Sequence, residues 1–404
     1  MISSLEGLRI LDLSRVLAGP VCTQMLGDLG ADIIKIERPG EGDDTRNWGP
    51  PYLKDKDDND TNESAYYLSA NRNKKSVTVD VSKPEGQAII HALAAKSDVL
   101  IHNFKVGGLD KYGLGFADMH EKHPHLIYTA ISGFGQNGPL ASEPGYDLMA
   151  QAMGGMMAHT GAPDGEPTKA GVALVDVMTG LHAAIGTLAA LHAREKTGKG
   201  QLVDVALLDV CLSSMTNLAQ YYLTSGQVPK RQGNAHASIV PYQAFEAKDG
   251  HMVVAVGNDH QFRVFVTALG KSAWADDARF SHNNARVKNR DVLVPMIADV
   301  LATKNVEDWV AMFRDINIPA AAVNNVKDVF ALDQVQARGM EIEMPHPLSP
   351  APIHLVGSPF HLSDTPVSYR LPPPVMGQHT EEVLSTVLGL SAEELGRLKA
   401  SNII

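Results

Sequence analysis

Residues 7–40 read GLRILDLSRVLAGPVCTQMLGDLGADIIKIERPG and set the pattern for the first half of the chain. Two runs within it, RILDLS at 9–14 and DIIKIE at 32–37, have the length and the apolar, β-branched composition of buried strands. The segment between them, 20–29, predicts a helix. A strand, a helix and a second strand in this order indicate a parallel β-α-β unit with a right-handed crossover.

The same alternation continues after residue 40. Further strands are predicted at 76–81, 98–104 and 126–132, and a helix at 84–96, where apolar residues fall on one side. We therefore predict an α/β fold with a mostly parallel sheet. In such sheets ligands bind at the carboxyl ends of the strands, which is where Arg38 and Asn103 fall.

The length of the chain, and a change in its composition and predicted elements after about residue 227, predict two domains. At 404 residues the chain exceeds the usual size of a single core. We assign 1–226 to the N-terminal part of a large domain and 227–322 to a smaller α+β domain, with a strand at 251–256 and helices near 260–269, 291–303 and 306–314. Residues 323–404 are predicted to form a linker and a C-terminal return to the large domain, with final helices from Glu381 and Ala392.

The composition excludes several classes of protein. Lys and Arg number 35 against 46 Asp and Glu, and the net charge of −11 argues against a nucleic-acid surface. Two distant cysteines, Cys22 and Cys211, indicate neither a disulfide framework nor a zinc site, and the histidines at 120, 123 and 125 lack a fourth ligand, so no metal is expected. Without a signal peptide or a long apolar span, we expect a cytoplasmic protein that binds no membrane.

Asp176 is the candidate nucleophile. It is predicted to lie between a short apolar strand and a helix from about 177 to 196, for which Gly198 is the C-terminal signal. On local grounds alone an ordinary N-cap is the favoured interpretation, because an Asp carboxylate accepts the free amide protons of a first helical turn.

The order of several motifs resembles the family III CoA-transferases, which include formyl-CoA transferase. These motifs are LEGLRILDLSRVLAGP, GADIIKIERPG, NRNKKSVTVDV, HNFKVGGLDKYGLG, SGFGQNGPL, PGYD at 144–147, KTGKGQ and RQGNAHASIVPYQAF. The resemblance implies a Rossmann-like large domain built from both ends of the chain, a small domain between, and an interlocked homodimer. It also implies that Asp176 carries first the acyl group and then CoA.

CoA transfer needs a covalent carrier and no ATP, because one thioester is exchanged for another. An ionised carboxylate can attack an acyl-CoA to give a mixed anhydride, and CoA thiolate then converts the anhydride into an aspartyl-CoA thioester. CoA is thus a substrate and product, and we expect no tightly bound cofactor. The motifs most resemble those of the branch that uses succinyl-CoA and small dicarboxylic acids. The distal carboxylate of such an acid would need a cation, and the candidates are Arg15, Arg46 and Arg72.

An acidic protein that binds the phosphates of CoA must gather cations locally. Basic residues recur just after the apolar strands of the first hundred or so residues, although any one of them could be ordinary solvated surface. The residues predicted to bind CoA are Val16, Ala18, Arg38, Arg72, Lys75, Asn103, Phe104, Lys105 and Lys111.

Four further residues are candidates for the active site. Asp147 could position the acceptor acid or shuttle a proton, or it could only cap the following helix. Tyr146 could bond the substrate acid, or it could be a packed core tyrosine. Gly233 and Asn234 lie where relatives carry a mobile loop, and could cover the site and donate amide protons to an oxyanion, or form a simple turn.

Three other functions are compatible with parts of the sequence. GFGQNG at 133–138 matches GxGxxG and would suit a dinucleotide-dependent oxidoreductase, but no helix is predicted directly after it. A 2-methylacyl-CoA racemase of the same family would carry His where this chain has Tyr146, and a phenol with an ordinary pKa near 10 is a poor base at neutral pH. A non-catalytic CoA-binding protein would require Asp176 to be only a cap.

Overall fold

The computed structural model describes residues 2–404, which form thirteen strands and seventeen α-helices. The strands are β1 (Arg9–Asp12), β2 (Asp32–Glu37), β3 (Tyr52–Lys54), β4 (Asp60–Ser64), β5 (Lys74–Thr78), β6 (Val99–His102), β7 (Ile127–Ser132), β8 (Leu202–Ala206), β9 (Tyr242–Ala247), β10 (Gly250–Ala255), β11 (Ala320–Ala322), β12 (Glu341–Met344) and β13 (Ile353–Val356). The helices are α1 (Ala18–Asp28), α2 (Ala65–Ser69), α3 (Pro84–Ala94), α4 (Phe116–Lys122), α5 (Asp147–Met153), α6 (Met156–His159), α7 (Leu174–Thr197), α8 (Leu207–Ser214), α9 (Thr216–Ser225), α10 (Asp259–Ala268), α11 (Asn283–Lys288), α12 (Arg290–Leu301), α13 (Val306–Asp315), α14 (Val326–Phe330), α15 (Asp333–Ala337), α16 (Thr380–Leu388) and α17 (Ala392–Ala400).

Six parallel strands form the central sheet, in the order β5-β2-β1-β6-β7-β8. Counted along the chain, this is the order 3-2-1-4-5-6 of doubly wound sheets, whose direction of winding reverses between β1 and β6. Smaller antiparallel sheets pair β10 with both β9 and β11, β12 with β13, and β3 with β4. The predicted mixed α/β fold is confirmed.

Both faces of the central sheet are buried, as expected for parallel strands. Successive side chains of β1 point to opposite faces. Leu11 packs in a cluster with Ile90 of α3 and Leu384 of α16, whereas Ile10 packs in a second cluster with Ala183 of α7. The C-terminal helices thus complete one face of the sheet, and α1 and α7 cover the other.

The chain divides into two compact units. The large unit comprises the described residues up to Met156 together with Ala170–Gln220 and Gln334–Ile404, and the smaller unit comprises Met157–Lys169 and Tyr221–Asp333. In the smaller unit, Phe265 of α10 and Trp309 of α13 belong to a single apolar core. The bounds of the two units differ from the predicted domain bounds at three places, because 157–169, 221–226 and 323–333 fall in the smaller unit.

Most predicted elements lie within a few residues of the observed ones, but one expectation was wrong and one strand of the central sheet was missed. No strand precedes Asp176: residues 160–173 are irregular, and α7 begins at Leu174, so that Asp176 lies inside the first turn and is not the N-cap. The edge strand β8 was not predicted, because its five residues include the exposed Asp204 and it gives only a short apolar pattern. Gly198 does end α7, with φ at 70°.

Among the described residues, α7 is the one helix with the length and apolar composition to cross a membrane. Its face that includes Val175, Thr179, Ala183 and Thr187 is buried in the large unit. Core helices of folded proteins satisfy the same criterion.

Candidate active site

A cavity of about 620 Å³ opens at the carboxyl ends of β1 and β6, where the winding of the sheet reverses. This is the place where open α/β sheets bind their ligands. Its walls are the segments after β1, β6 and β7, the PGYD motif, and the start of α7. The residues that line it include Arg15, Val16, Ala18, Trp48, Asn103, Lys105, Lys111, Tyr146 and Asp176.

Asp176 reaches this cavity because α7 lies close to α1. Gly180, one turn after Asp176, faces the start of α1, and a Cβ atom at this position would lie 2.6 Å from the carbonyl oxygen of Ala18. Only glycine permits this approach. The first turn of α7 is thereby held beside the wall formed by the segment after β1.

Asp147 caps the helix that carries Asp176. The N-cap of α7 is Ala173, whose side chain cannot accept a hydrogen bond. Oδ1 of Asp147 instead accepts from the backbone N–H groups of Val175, at 2.8 Å, and of Asp176, at 3.2 Å, while Oδ2 accepts from Nε2 of Gln151 at 2.6 Å. Asp147 does not line the cavity, and its contacts are those of a positioning residue.

Asp176 is a basic carboxylate. Burial, and secondly the negative charge of Asp147, raise its pKa from 3.8 to about 7. A carboxylate that is poorly hydrated and close to a like charge holds its proton more tightly, and its ionised form is a stronger nucleophile. A raised pKa within a cavity is also a common property of catalytic groups.

Two aromatic residues at this site were missed by the sequence analysis. The pKa of Tyr66 is raised by burial and then by the charges of Asp176 and Asp147, so its phenol lies within electrostatic range of both carboxylates. Its ring packs edge-on against Trp48, with centroids 5.3 Å apart. Neither residue belongs to a recognisable motif, and only the fold places Trp48 in the wall of the cavity and Tyr66 beside Trp48.

Six of the nine residues predicted to bind CoA line this cavity: Val16, Ala18, Asn103, Phe104, Lys105 and Lys111. Arg38 lines a second cavity of about 990 Å³, where it pairs with Glu41 at 2.9 Å. The two cavities share lining residues, which are Arg15, Asp44, Phe104 and Tyr112, so they adjoin.

Arg72 and Lys75 lie outside both cavities. Arg72 is buried and pairs with Asp28, with its Nη2 2.6 Å from Oδ2 of the carboxylate. Lys75 pairs with Asp32 and with Glu382 of α16. A guanidinium that is already neutralised inside the protein has no charge to offer to a phosphate, and the structure gives Arg72 a structural contact in place of the predicted role.

The three arginines that were considered as partners for the distal carboxylate of a substrate differ in burial and in their ion pairs. Arg46 is buried between Glu37 and Glu63, and Arg72 is buried as described. Arg15 lines both cavities, and its guanidinium is half-exposed and pairs with Asp44 at 2.9 Å. Of the three, only Arg15 lines the cavity that contains Asp176, whereas Arg46 lines the second cavity with its guanidinium paired to Glu37 and Glu63.

The remaining candidates fall in different units. Tyr146 is 63% exposed and lines the cavity, so it is not the packed core tyrosine considered as an alternative. Gly233, with φ at 61°, and Asn234 line a cavity of about 600 Å³ within the smaller unit. The guanidinium of Arg231 donates hydrogen bonds to the carbonyl oxygens of Ala162 and Gly165, and so links the segment before Gly233 to residues 162–165. The lid and oxyanion roles of Gly233 and Asn234 stay predictions.

The alternative of a dinucleotide-dependent oxidoreductase finds no support in the geometry. After GFGQNG the next helix is α5, which begins at Asp147, so the glycine motif does not open a helix that could bind a pyrophosphate. Over residues 2–404, no group of three or more His, Cys, Asp or Glu side chains is placed to hold a metal ion.

The fold and this cavity define an α/β protein with a carboxylate, that of Asp176, in a cavity at the reversal point of its parallel sheet. The profile of CoA-transferase family III matches residues 5–380, and the chain belongs to this family.

Known relatives agree with this assignment. Over 99% of this chain and 90% of the relative, it is 44% identical to succinyl-CoA:glutarate CoA-transferase of Mus musculus. It is 43% identical to succinate–glutarate CoA-transferase of Agrobacterium fabrum, over 94% of this chain and 95% of the relative. The crystal structure of a CAIB/BAIF family protein from Brucella suis, 43% identical, superposes with a TM-score of 0.87 over 96% of this chain and 100% of the other.

Proposed function

We propose that this CoA-transferase moves CoA from succinyl-CoA to a small dicarboxylic acid such as glutarate, with Asp176 as the covalent carrier. The observation that carries the proposal is the basic carboxylate of Asp176 in a cavity that also contains Arg15, Lys105 and Lys111. The names of the mouse and Agrobacterium relatives, which give succinyl-CoA or succinate and glutarate, support the choice of substrates.

In the first half-reaction an oxygen of Asp176 attacks the thioester carbonyl of succinyl-CoA. The carbon–sulfur bond breaks, CoA leaves as a thiolate, and a succinyl-aspartyl anhydride remains. The thiolate then attacks the carbonyl carbon of Asp176 and releases succinate. The result is an aspartyl-CoA thioester in which the energy of the original thioester is retained.

In the second half-reaction the acceptor repeats these steps in reverse. Its carboxylate attacks the aspartyl-CoA thioester, forms a second anhydride and frees CoA thiolate. Attack of the thiolate on the acceptor's acyl carbon gives the new acyl-CoA and restores the Asp176 carboxylate. No proton or electron is gained or lost over the cycle, so no resident cofactor is needed.

The cations at the cavities match the charges of both substrates. We propose that Lys105, Lys111 and Arg38 meet the phosphates of CoA, and that Arg15 binds the distal carboxylate of the dicarboxylic acid. A guanidinium can hold a carboxylate through two parallel hydrogen bonds, and Asp44 keeps Arg15 oriented until the substrate arrives.

A CoA-ester exchange assay tests the function directly. The protein is incubated with succinyl-CoA and a panel of mono- and dicarboxylic acids, and the CoA esters are followed by mass spectrometry. We expect glutaryl-CoA and free succinate from the native protein, and none from Asp176→Asn. Reaction with succinyl-CoA alone, followed by digestion, should yield a CoA adduct on the peptide that contains Asp176. Exchange by the Asn variant at the native rate would refute the proposal.

We also propose that the large domain is Rossmann-like and that the protein is a homodimer, interlocked as the family resemblance implies. Apolar side chains are exposed on three helices of the large unit that pack together, α5, α7 and α8. They include Met153, Ile185, which is 65% exposed, and Leu212. Apolar side chains that are exposed on helices packed together are typical of a protein–protein interface.

The cellular location is likewise proposed to be cytoplasmic, without membrane binding. Both cysteines, Cys22 and Cys211, are free and buried, as expected in a reducing compartment. Fractionation of cells that express the tagged full chain would test this.

A further inference from the structure

Val16 has a backbone conformation that its side chain disfavours. Its φ angle is 72°, in the left-handed region. Few non-glycine residues adopt this conformation, and for a β-branched residue it is strained. Such conformations persist only where the surrounding structure enforces them, and they cluster at functional sites. Val16 lines the cavity that contains Asp176.

Hydrogen bonds fix the backbone of Val16 and of its neighbours. Oδ1 of Asp43 accepts from the backbone N–H of Val16 at 3.2 Å. Nζ of Lys35 donates to the carbonyl oxygen of Ser14 at 2.8 Å. The side chain of Asn103 makes two hydrogen bonds to the backbone of Arg15. Its Oδ1 accepts from the N–H at 2.9 Å, and its Nδ2 donates to the carbonyl oxygen at 2.6 Å. The strained turn is therefore held on both sides.

Two of these anchors form an ion pair inside the protein. Nζ of Lys35 lies 2.8 Å from Oδ2 of Asp43, and neither side chain is exposed. Burial opposes the ionisation of Asp43, but the charge and hydrogen bond of Lys35 and the bonds from Thr45 lower its pKa to about 2. Both groups are thus charged at every pH at which the protein would work.

Asp43 also joins the turn to a second wall of the cavity. Its Oδ1 accepts from the backbone N–H of Thr45 at 3.0 Å and from the Thr45 hydroxyl at 2.7 Å. Thr45 belongs to the 3-10 helix Asp44–Asn47, and this helix leads directly to Trp48. Asp44 and Trp48 line the same cavity as the segment after β1. A single carboxylate thereby fixes two separate segments of the cavity wall.

We infer that Asp43, anchored by Lys35, is a positioning residue for CoA transfer: it holds Val16 in the left-handed conformation and so fixes the wall formed by residues 15–18 against the CoA thioester. This inference deepens the proposed function and rests on it. No role in bond making is assigned to either residue, because neither lines the cavity.

The first test compares two buried ion pairs of the large unit. Asp43→Asn removes the charge that pairs with Lys35, and Asp28→Asn removes the charge that pairs with Arg72, at similar burial and without contact to the Val16 turn. CoA itself is the probe, and its dissociation constant is measured by isothermal titration calorimetry. We expect Asp43→Asn to weaken CoA binding by about tenfold or more, and Asp28→Asn by less than about twofold, although both lower Tm.

A double-mutant cycle with Val16→Gly separates positioning from a general loss of stability. Glycine adopts positive φ without strain, so in the Val16→Gly variant the conformation of the turn depends less on the hydrogen bond to Asp43. We expect Asp43→Asn to weaken CoA binding by less than about threefold in the Val16→Gly background, against about tenfold in the native background. Asp28→Asn should show no such coupling. Equal effects of Asp43→Asn in both backgrounds would overturn the inference.

Kinetics and folding supply the remaining outcomes. With succinyl-CoA and glutarate, Asp43→Asn should raise KM for succinyl-CoA by more than it lowers kcat, and Val16→Gly should reduce this effect. If Asp43→Asn alone does not fold, recovery of a folded, CoA-binding protein in the double variant supports the inference, and failure of both overturns it. A native protein that neither binds CoA nor exchanges esters would refute the proposed function and this inference with it, whereas an additive cycle in an active enzyme refutes the inference alone.

Discussion

Asp147 caps the helix that presents Asp176, and the same contact places a second negative charge beside this candidate nucleophile. The carboxylate of Asp147 therefore has two effects on Asp176. Its hydrogen bonds to the amides of Val175 and Asp176 fix the first turn of α7, and its charge helps to raise the pKa of Asp176. One side chain thus sets both the position and the basicity of the candidate carrier.

The pH dependence of the first chemical step should follow the ionisation of Asp176. Because the attacking group is the carboxylate, we expect the rate of aspartyl-CoA formation in a single turnover to rise with pH, with a midpoint near 7. Asp147→Asn keeps an oxygen for the two amides but removes the charge, so the midpoint should move to lower pH. The rate of adduct formation at each pH is measured by rapid quenching followed by mass spectrometry of the aspartyl-CoA adduct.

The matched control for this prediction is Asp204→Asn. Asp204 accepts from the backbone N–H of Gln136 and is not among the groups that raise the pKa of Asp176, so the midpoint should stay in place. A midpoint that is unchanged in Asp147→Asn would show that this charge does not act on Asp176.

Asp176→Asn should abolish ester exchange and at the same time stabilise the protein at alkaline pH. The pKa in the folded protein, about 7, lies above the ordinary value of 3.8, so protonation of Asp176 favours the folded state. That contribution is complete below pH of about 4 and is lost as the pH rises through 7. The Asn variant cannot ionise, and it should be more stable than the native protein by about 1–3 kcal/mol at pH 8.

Urea unfolding at pH 5 and pH 8 provides the measurement. The stability advantage of Asp176→Asn should be smaller at pH 5 and should level off above pH of about 7.5. An advantage of equal size at both values would mean that the pKa of this carboxyl is not raised in the folded protein.

Arg15→Gln should change the choice of acceptor acid. Without its guanidinium, KM for glutarate should rise by about tenfold or more, whereas that for a monocarboxylic acid of similar length should change little, because only the dicarboxylate has a distal charge to pair. Initial rates with both acceptors at saturating succinyl-CoA measure this. Lys111→Gln is the contrasting variant, and it should raise KM for succinyl-CoA instead. Equal losses for both acceptors in Arg15→Gln would contradict the assignment.

Ile185→Asp should disrupt the proposed homodimer. Ile185 lies in the middle of α7 with its side chain exposed, so a charge there would leave the fold of the large unit intact and oppose burial in an interface. Light scattering coupled to gel filtration should show a dimer for the native chain and a smaller species for the variant. Glu195→Gln, on the exposed end of the same helix, serves as the control. A native chain that elutes as a monomer would refute the dimer.

Elements and residues that are identified by their local sequence pattern could be predicted. The strands β1, β2, β6 and β7 were found from the sequence, because an apolar, β-branched run needs no distant partner to be recognised. The cavity residues Asn103 and Lys105 follow directly from that pattern, since the carboxyl ends of parallel strands meet at one edge.

Residues whose behaviour depends on distant partners were not predictable. Arg72 has the appearance of a free cation in NRNKK, and only the fold reveals that Asp28 neutralises it in the interior. Asp147 was expected either to act on substrate or to cap its own helix, and it caps α7, a helix that begins far along the chain at Leu174. Tyr66 carries no motif at all.

The sequence by itself determined that this chain is an α/β protein of the CoA-transferase type and that Asp176 is the side chain to examine, because strand composition and motif order are encoded locally. Tertiary structure alone decided which charges remain available to a ligand. Ion pairing and burial depend on which residues meet across the fold: they neutralise Arg46 and Arg72, leave Arg15 accessible, and raise the pKa of Asp176 to about 7.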